Sequence, residues 1–435
     1  MAKYLRVGVV GGAGIFGSHS MAYPENMNAV PVAFIDVYPS RAKKSFDELL
    51  NNHLKPALEY YKDEEPGNSA QIDRLEYAVT SLEERGVSDN IWEVLDDVDV
   101  LDICTPNKFH VPYSIIALEH GKSAMSEKPP ARSWWETQKL IEVAKQSKGK
   151  YQINENEFFR PLWNAMGEAL CAGKIGNIRS VTAQLGHTGP SWGWNSHFFT
   201  PLLNGGGCTQ DLGVHALGLA MASLGWLKGQ PNEKIAVESV RVKKMEKRNT
   251  TRKMTTYVGE NTWKNLEFED YAKFVVKLKH PQGYDFKLNL ETAWCMHLQG
   301  LCKIEGTEGV LSPNVEKGGE QVVEVYDKKG KLLETIHPRI DKYGNRDSHE
   351  REVLYFTDVV LNGLGQSLAN EETASNLQSM ISLAYYSNSF KNGEDATMAE
   401  LRAWCEKLEK QVGSARDVLV DEIVQRLLKP LRSDL

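Results

Sequence analysis

Asp211 and His215 stand four residues apart in a run that reads as the start of a helix. At that spacing both side chains project from one face and can meet a single ligand. The pair has what alcohol oxidation needs. Removing a hydride from a secondary carbinol requires the hydroxyl proton to leave, and an imidazole titrating near neutrality is the natural acceptor. Asp211 would orient that imidazole or bind a neighbouring hydroxyl. Lys128, in the sequence Glu127, Lys128, Pro129, Pro130, would stabilise the developing alkoxide as a hydrogen-bonding cation, with no metal required. On spacing alone Asp211 and His215 could be a mutually satisfied buried pair, and Lys128 a surface residue before a turn. Taken with the glycine motif below, the three favour chemistry.

The glycine motif lies at the front of the chain, where the apolar run 5–10 leads into Gly12, Gly14 and Gly17 in GxGxxG spacing. The glycines are expected to give a tight turn, room for backbone to approach a pyrophosphate, and close packing of helix on strand. The N–H groups around Ile15 and Phe16 would then face phosphate. Asp36 ends the next apolar run, where a carboxylate accepts hydrogen bonds from ribose hydroxyls and repels a 2′-phosphate. This favours NAD over NADP, and Arg41 weakens the preference because an arginine there can hold a 2′-phosphate. Thr105, Pro106, Asn107 and His110 follow another strand candidate, at the edge where open α/β sheets bind ligands. His110 could instead simply cap or pack against a helix start.

The elements that must carry these groups can be read from periodicity. Strand candidates at 5–10, 32–36, 76–80, 98–104, 123–126 and 151–154 alternate with helical runs such as 113–120 and 134–145, which implies a parallel sheet covered by helices. The polar segment 43–74 reads as an irregular surface insertion. Runs 271–279 and 285–291 alternate apolar with polar residues, the mark of an antiparallel sheet with one covered face. Residues 350–361 and 372–388 are helical, and 398–428 reads as one or two amphipathic helices. The domain reading is 1–154 for nucleotide binding, with the insertion at about 43–74; 155–395 for substrate and subunit contacts; and 396–435 as a helical extension.

The combination of Gly12, Gly14, Gly17 and Asp36 with Thr105, Pro106, Asn107 and His110, then Glu127, Lys128 and Pro129, and finally Gly205, Gly206, Asp211 and His215 resembles the Gfo/Idh/MocA oxidoreductases, which include inositol and sugar dehydrogenases. The resemblance spans roughly residues 5 to 390. It implies an N-terminal Rossmann doubly wound parallel sheet, followed by an α+β domain with a large, mostly antiparallel open sheet that often forms subunit interfaces, hence a homo-oligomer, dimer or tetramer. It also implies that Lys128, Asp211 and His215 act on the substrate hydroxyl, that residues around Glu127 contact the cofactor, and that the bond before Pro129 is cis. The chain departs from the family pattern after the run 151–154, where Glu155 or Glu157 become candidates for substrate contact. His187, Trp192, Trp194 and His197 lie in a stretch of aromatic and hydrogen-bonding residues that suits a carbohydrate, or equally a packing loop.

Composition narrows the partners. The 435 residues are 41% hydrophobic and 25% charged, which is enough for globular domains, and 51 Lys and Arg against 58 Asp and Glu give a net charge of -7. That balance argues against nucleic acid as a partner. No apolar run is long enough for a membrane span. The six cysteines form no CxxC pair and read as small buried hydrophobes in a reducing, cytoplasmic setting. The leading expectation is an NAD-dependent dehydrogenase oxidising a secondary hydroxyl of a sugar, glycoside or cyclitol to a ketone. The alternatives are an NAD-retaining glycoside-cleaving enzyme using transient oxidation, and a non-catalytic NAD-binding regulatory protein.

Overall fold

The computed structural model describes residues 4–12, 14–26, 28–188, 200–248, 255–256, 259–260, 268–363 and 365–428. The chain forms two compact units, one made of Met1–Glu127, Lys139–Asn156 and Asp341–Glu371, the other of Lys128–Gln138, Glu157–Ile340 and Glu372–Leu435. Segment Asp341–Glu371, which the sequence pattern assigns to the second domain, thus belongs by its contacts to the first unit.

In the first unit β1 (Leu5–Val10), β2 (Ala29–Ile35), β3 (Val87–Ser88), β4 (Val100–Ile103), β5 (Ser123–Glu127) and β6 (Tyr151–Asn154) form a single sheet. Its order is β3-β2-β1-β4-β5-β6, and every pair is parallel. The order reverses between β1 and β4, which makes the carboxyl ends of these two strands the expected ligand crevice of a Rossmann sheet. β2 is buried at all seven positions, as a strand covered on both faces should be.

Two expectations fail here. Residues 76–80 are not a strand but part of the helix Ser69–Arg85. The five-residue window hid a longer period: the buried positions are Gln71, Arg74, Leu75, Ala78, Val79 and Leu82, a stripe at three-to-four spacing. Segment 43–74 is also not irregular, because helices Pro39–Asp47 and Lys55–Glu64, joined by a π-helix Glu48–Leu54, fill most of it. Its polarity belongs to solvated faces, and its far end is anchored. The buried guanidinium of Arg74 donates to the carbonyls of Ala29 and Pro24, both at 2.9 Å.

The second unit holds β7 (Ile178–Gly186), β8 (Ala236–Glu246), the short antiparallel pair β9 (Thr255–Thr256) and β10 (Gly259–Glu260), and β11 (Tyr271–Lys279), β12 (Asp285–Ala293), β13 (Leu298–Gly306), β14 (Gly309–Val315), β15 (Gln321–Asp327) and β16 (Leu332–Ile336). Eight of these strands form a sheet in the order β16-β15-β14-β13-β7-β12-β11-β8. All its pairs are antiparallel except β7 with β12. Phe286, Leu288 and Leu290 are at most 3% exposed while Asp285 and Lys287 are exposed, so one face is covered, as the alternation predicts. The helix Cys208–Ser223 is apolar nearly all round and buried at every position but His215, as expected of a helix inside a core.

Two C-terminal helices, Met398–Val412 and Arg416–Leu428, account for the last charged stretch. The first opens on a capping box between Thr397 and Glu400. Among the described residues no helix is long and apolar enough to cross a membrane. All six cysteines are free, but Cys171 is exposed and Cys295 half-buried, so the expectation that each is a buried hydrophobe fails for those two.

Candidate active site

The loop after β1 shows how its glycines divide the work. Gly11, at φ +81, makes the turn, and a Cβ there would lie 2.7 Å from the Thr105 side chain. Gly12 provides the close packing, since a Cβ would fall 2.0 Å from the Phe34 ring. Around Gly14 and Gly17 nothing lies within 4 Å. The motif spacing gives Gly17 the packing role, and the structure corrects this: Gly14 and Gly17 face open space and Gly12 is the packed one. The following helix, Phe16–Ser20, is short. Phe16 turns its side chain into the core against Phe34, rings edge-on at 5.2 Å, while Ile15 remains half-buried.

Asp36 follows β2, half-buried, its Oδ1 accepting the Tyr38 N–H at 2.8 Å. Burial raises its pKa, against the opposing pull of that hydrogen bond and of Arg41. Arg41 itself stacks over the Tyr38 ring. At the end of β4 the His110 ring donates to the Thr105 carbonyl at 2.7 Å, closing the turn 105–110 in which Pro106 precedes the buried Asn107. The Thr105 hydroxyl is buried with no hydrogen-bond partner among the described residues. A carboxylate at the ribose position, glycines opening on free space and an orphaned hydroxyl at the crevice fit a dinucleotide.

Beneath this crevice lies a group that sequence reasoning missed. His19 is fully buried; its Nδ1 donates to Asp102 Oδ1 at 2.9 Å and its Nε2 to Glu127 Oε1 at 3.0 Å, with Glu352 Oε1 at 3.3 Å. Tyr23 donates its hydroxyl to the other Asp102 oxygen at 2.7 Å. Burial is the largest single effect and lowers the His19 pKa, but the charge and hydrogen bond of Asp102 together with those of Cys104 outweigh it, so the ring is held protonated well above its ordinary range. Burial pushes the Glu352 carboxyl well up, and the Cys104 thiol likewise. Donor atoms of His19, Asp102 and Cys104, and of His19, Glu127 and Glu352, lie within 4.8 Å of one another, a spacing that could also hold a cation. Glu155 belongs to the same buried acidic surroundings through its charge on Glu352.

The second unit contains the proposed chemistry. The Lys128–Pro129 bond is cis, as the resemblance implies. Lys128 Nζ donates to Asp211 Oδ1 at 2.8 Å, with side chains 18% and 12% exposed, so the pair is shielded yet reachable. The other carboxylate oxygen, Oδ2, accepts the indole N–H of Trp294 at 2.9 Å. Burial opposes ionisation of Asp211, but Lys128 outweighs it by charge and hydrogen bond, and His215 and His187 add to the effect, so the carboxyl stays below its usual range. The same interaction places both imidazoles near the pair. His187 is itself pushed down, first by burial and then by Lys128 and His215, with Asp211 opposing.

Local packing explains why these groups meet. Gly205 turns at φ +85 against Arg132, and Gly207 leaves room for the Glu269 carbonyl, 2.0 Å from where a Cβ would stand. Glu269 then accepts the N–H of Thr209 at 2.9 Å and the hydroxyl of Tyr385 at 2.8 Å, fixing the start of the Asp211 helix. His187 and Trp294 follow the ends of the paired strands β7 and β12, and the His187 N–H bonds the Ala293 carbonyl at 3.0 Å. Glu157 acts locally, accepting from Trp163 at 2.6 Å and pairing with Arg160. Trp192, Trp194 and His197 lie outside the described residues.

Residues 5–155 match the model of an oxidoreductase family with an NAD-binding Rossmann fold, and residues 163–312 match the GFO/IDH/MocA C-terminal domain. The chain is 33% identical over 130 residues to D-glucoside 3-dehydrogenase of Escherichia coli, covering 29% of this chain and 36% of that protein. It is 25% identical over 229 residues to levoglucosan dehydrogenase of Pseudarthrobacter phenanthrenivorans, 51% of each. The matched regions thus span from about a third to half the length of these relatives. A solved structure of levoglucosan dehydrogenase with NADH and levoglucosan superposes with a TM-score of 0.64 at 17% identity, over 91% of this chain and 99% of that one, a likeness of fold.

Proposed function

Because the chain belongs to the Gfo/Idh/MocA oxidoreductase family, we propose that it is an NAD-dependent dehydrogenase oxidising a secondary hydroxyl of a sugar, glycoside or cyclitol to a ketone. The observation that carries this reading is the shielded Lys128–Asp211 ion pair, with His215 one turn along the helix that carries Asp211. Two curated relatives named for oxidising glucosides and levoglucosan support the substrate class. NAD, when bound, supplies the hydride acceptor. An ammonium has three N–H donors, so Lys128 can bind the substrate oxygen alongside Asp211 and stabilise it as the proton leaves. His215 takes that proton. Asp211, whose two oxygens accept from Lys128 and Trp294, anchors the ammonium instead of acting as the base. His187, with its lowered pKa, stays neutral at physiological pH and can accept or donate a hydrogen bond to a neighbouring hydroxyl. We further propose a homo-oligomer through the open face of the large sheet, which light scattering would measure.

The test is NADH absorbance with a panel of polyols, glycosides and cyclitols. The expected result is stoichiometric NADH, reduced at least a hundredfold in Lys128→Ala, in line with the loss of an oxyanion-stabilising donor. Absence of NADH across the panel overturns the reading. Aglycone release without net NADH would identify glycoside cleavage by transient oxidation, and NAD binding without any turnover would identify a regulatory protein.

A further inference from the structure

We propose that Trp294 is a positioning residue for this chemistry, its indole N–H holding the Asp211 carboxylate turned toward Lys128. The inference rests on the function proposed above. Trp294 is fully buried and follows the last residue of β12. Its main-chain N–H is tied to the Asp270 carbonyl at 2.8 Å, so its backbone is fixed from a second segment. The strand end is also laced to the helix that carries Asp211: Thr292 donates its hydroxyl to the Cys208 carbonyl at 3.3 Å. Ring and carboxylate therefore stand on one frame.

The two donors divide the carboxylate between them, Lys128 on Oδ1 at 2.8 Å and Trp294 on Oδ2 at 2.9 Å. Rotating the carboxylate away from Lys128 breaks the indole bond as well, so both hydrogen bonds to the charged carboxylate are lost together. Hydrogen bonds to the charged form of a carboxylate favour that form. Trp294 thus selects the rotamer of Asp211 and adds to the ionised form that Lys128 chiefly sets. Phenylalanine could fill much of the same space and could do neither. The indole has no proton to trade near neutral pH and is not a catalytic residue; its action passes entirely through Asp211.

The experiment uses Trp294→Phe and, because loss of ring volume can disturb folding, a second variant carrying the isosteric benzothiophene analogue of tryptophan at 294, which removes only the N–H. NADH formation is followed from pH 4 to 9, alone and in an Asp211→Asn background. The expected result is a fall in kcat of about tenfold with little change in KM, matching the loss of one hydrogen bond to a charged group. In the Asp211→Asn background the further loss should be under about twofold. An equal loss in both backgrounds, or a loss that falls on KM instead of kcat, overturns the proposal. If the parent protein oxidises none of the panel, the functional reading has failed by itself. The coupling is then read from thermal unfolding of the parent, Trp294→Phe, Asp211→Asn and the double variant, where additive effects of the two substitutions overturn the link and non-additive effects uphold it.

Discussion

Replacing His19 by leucine tests the buried ionic group most directly. The imidazole bridges Asp102 and Glu127 at 2.9 and 3.0 Å with no exposure to solvent. Removing it leaves carboxylates that must either stay charged without their counter-charge or take up protons. Breaking a buried pair in this way costs about 3 to 5 kcal/mol. Tyr23 still donates to Asp102, which favours the lower end, about 3 kcal/mol. For a cooperative unit of roughly this size, each kcal/mol corresponds to about 2 to 4 °C, so the melting temperature should drop by roughly 6 to 12 °C at pH 7. The pH dependence has a definite sign. Because the folded-state pKa is raised well above its ordinary value near 6.5, the His19 contribution is fully present below that value and declines progressively as pH rises from there through the folded pKa. Scanning calorimetry from pH 5 to 10 should show a gap between parent and variant that is widest below about pH 6.5 and narrows steadily as pH rises. A gap below about 2 °C at pH 7, or one that widens as pH rises, would refute the reasoning.

Gly12→Ala should destabilise the protein by about 1 to 3 kcal/mol, because the new methyl collides with the Phe34 ring; Gly14→Ala, which meets nothing, should leave the melting temperature unchanged and weaken NAD binding. Asp36→Ala should weaken NAD by about tenfold or more and narrow the preference over NADP, as measured by calorimetric titration; an unchanged NAD affinity would remove Asp36 from the ribose site. Asp421→Ala deprives the buried Arg132 of a partner at 2.5 Å while Glu136 remains. It should cost about 1 to 2 kcal/mol in thermal or denaturant unfolding, with little salt dependence, since screening is weak for buried pairs.

The site was legible where chemistry depends on local spacing. Asp211 and His215 share one helical face, Lys128 stands before a proline, and the glycines follow an apolar strand; each relation spans a few residues. What stayed hidden depends on long-range contact. His19, Asp102, Glu127 and Glu352 come from four distant stretches, and nothing in any one of them announces the others. Trp294 carried no signal beyond being an aromatic after an alternating run. The strand misread at 76–80 shows the limit of a short window: Tyr77 and Val79 mimic a β-rich run, and only the wider period from Leu75 to Leu82 reveals the helix. Gly17 was misjudged because motif spacing predicts that a glycine is needed without saying which neighbour would strike its Cβ.

The first unit is assembled from three separated stretches, the last ending at Glu371, and Glu352 from that last stretch reaches back to His19. A ribosome must therefore translate past Glu352 before the nucleotide-binding body has all its parts. Its early strands wait, incomplete, while the whole large antiparallel sheet is synthesised. Expression of residues 1–156 alone should accordingly give an aggregation-prone fragment rather than a miniature nucleotide-binding protein.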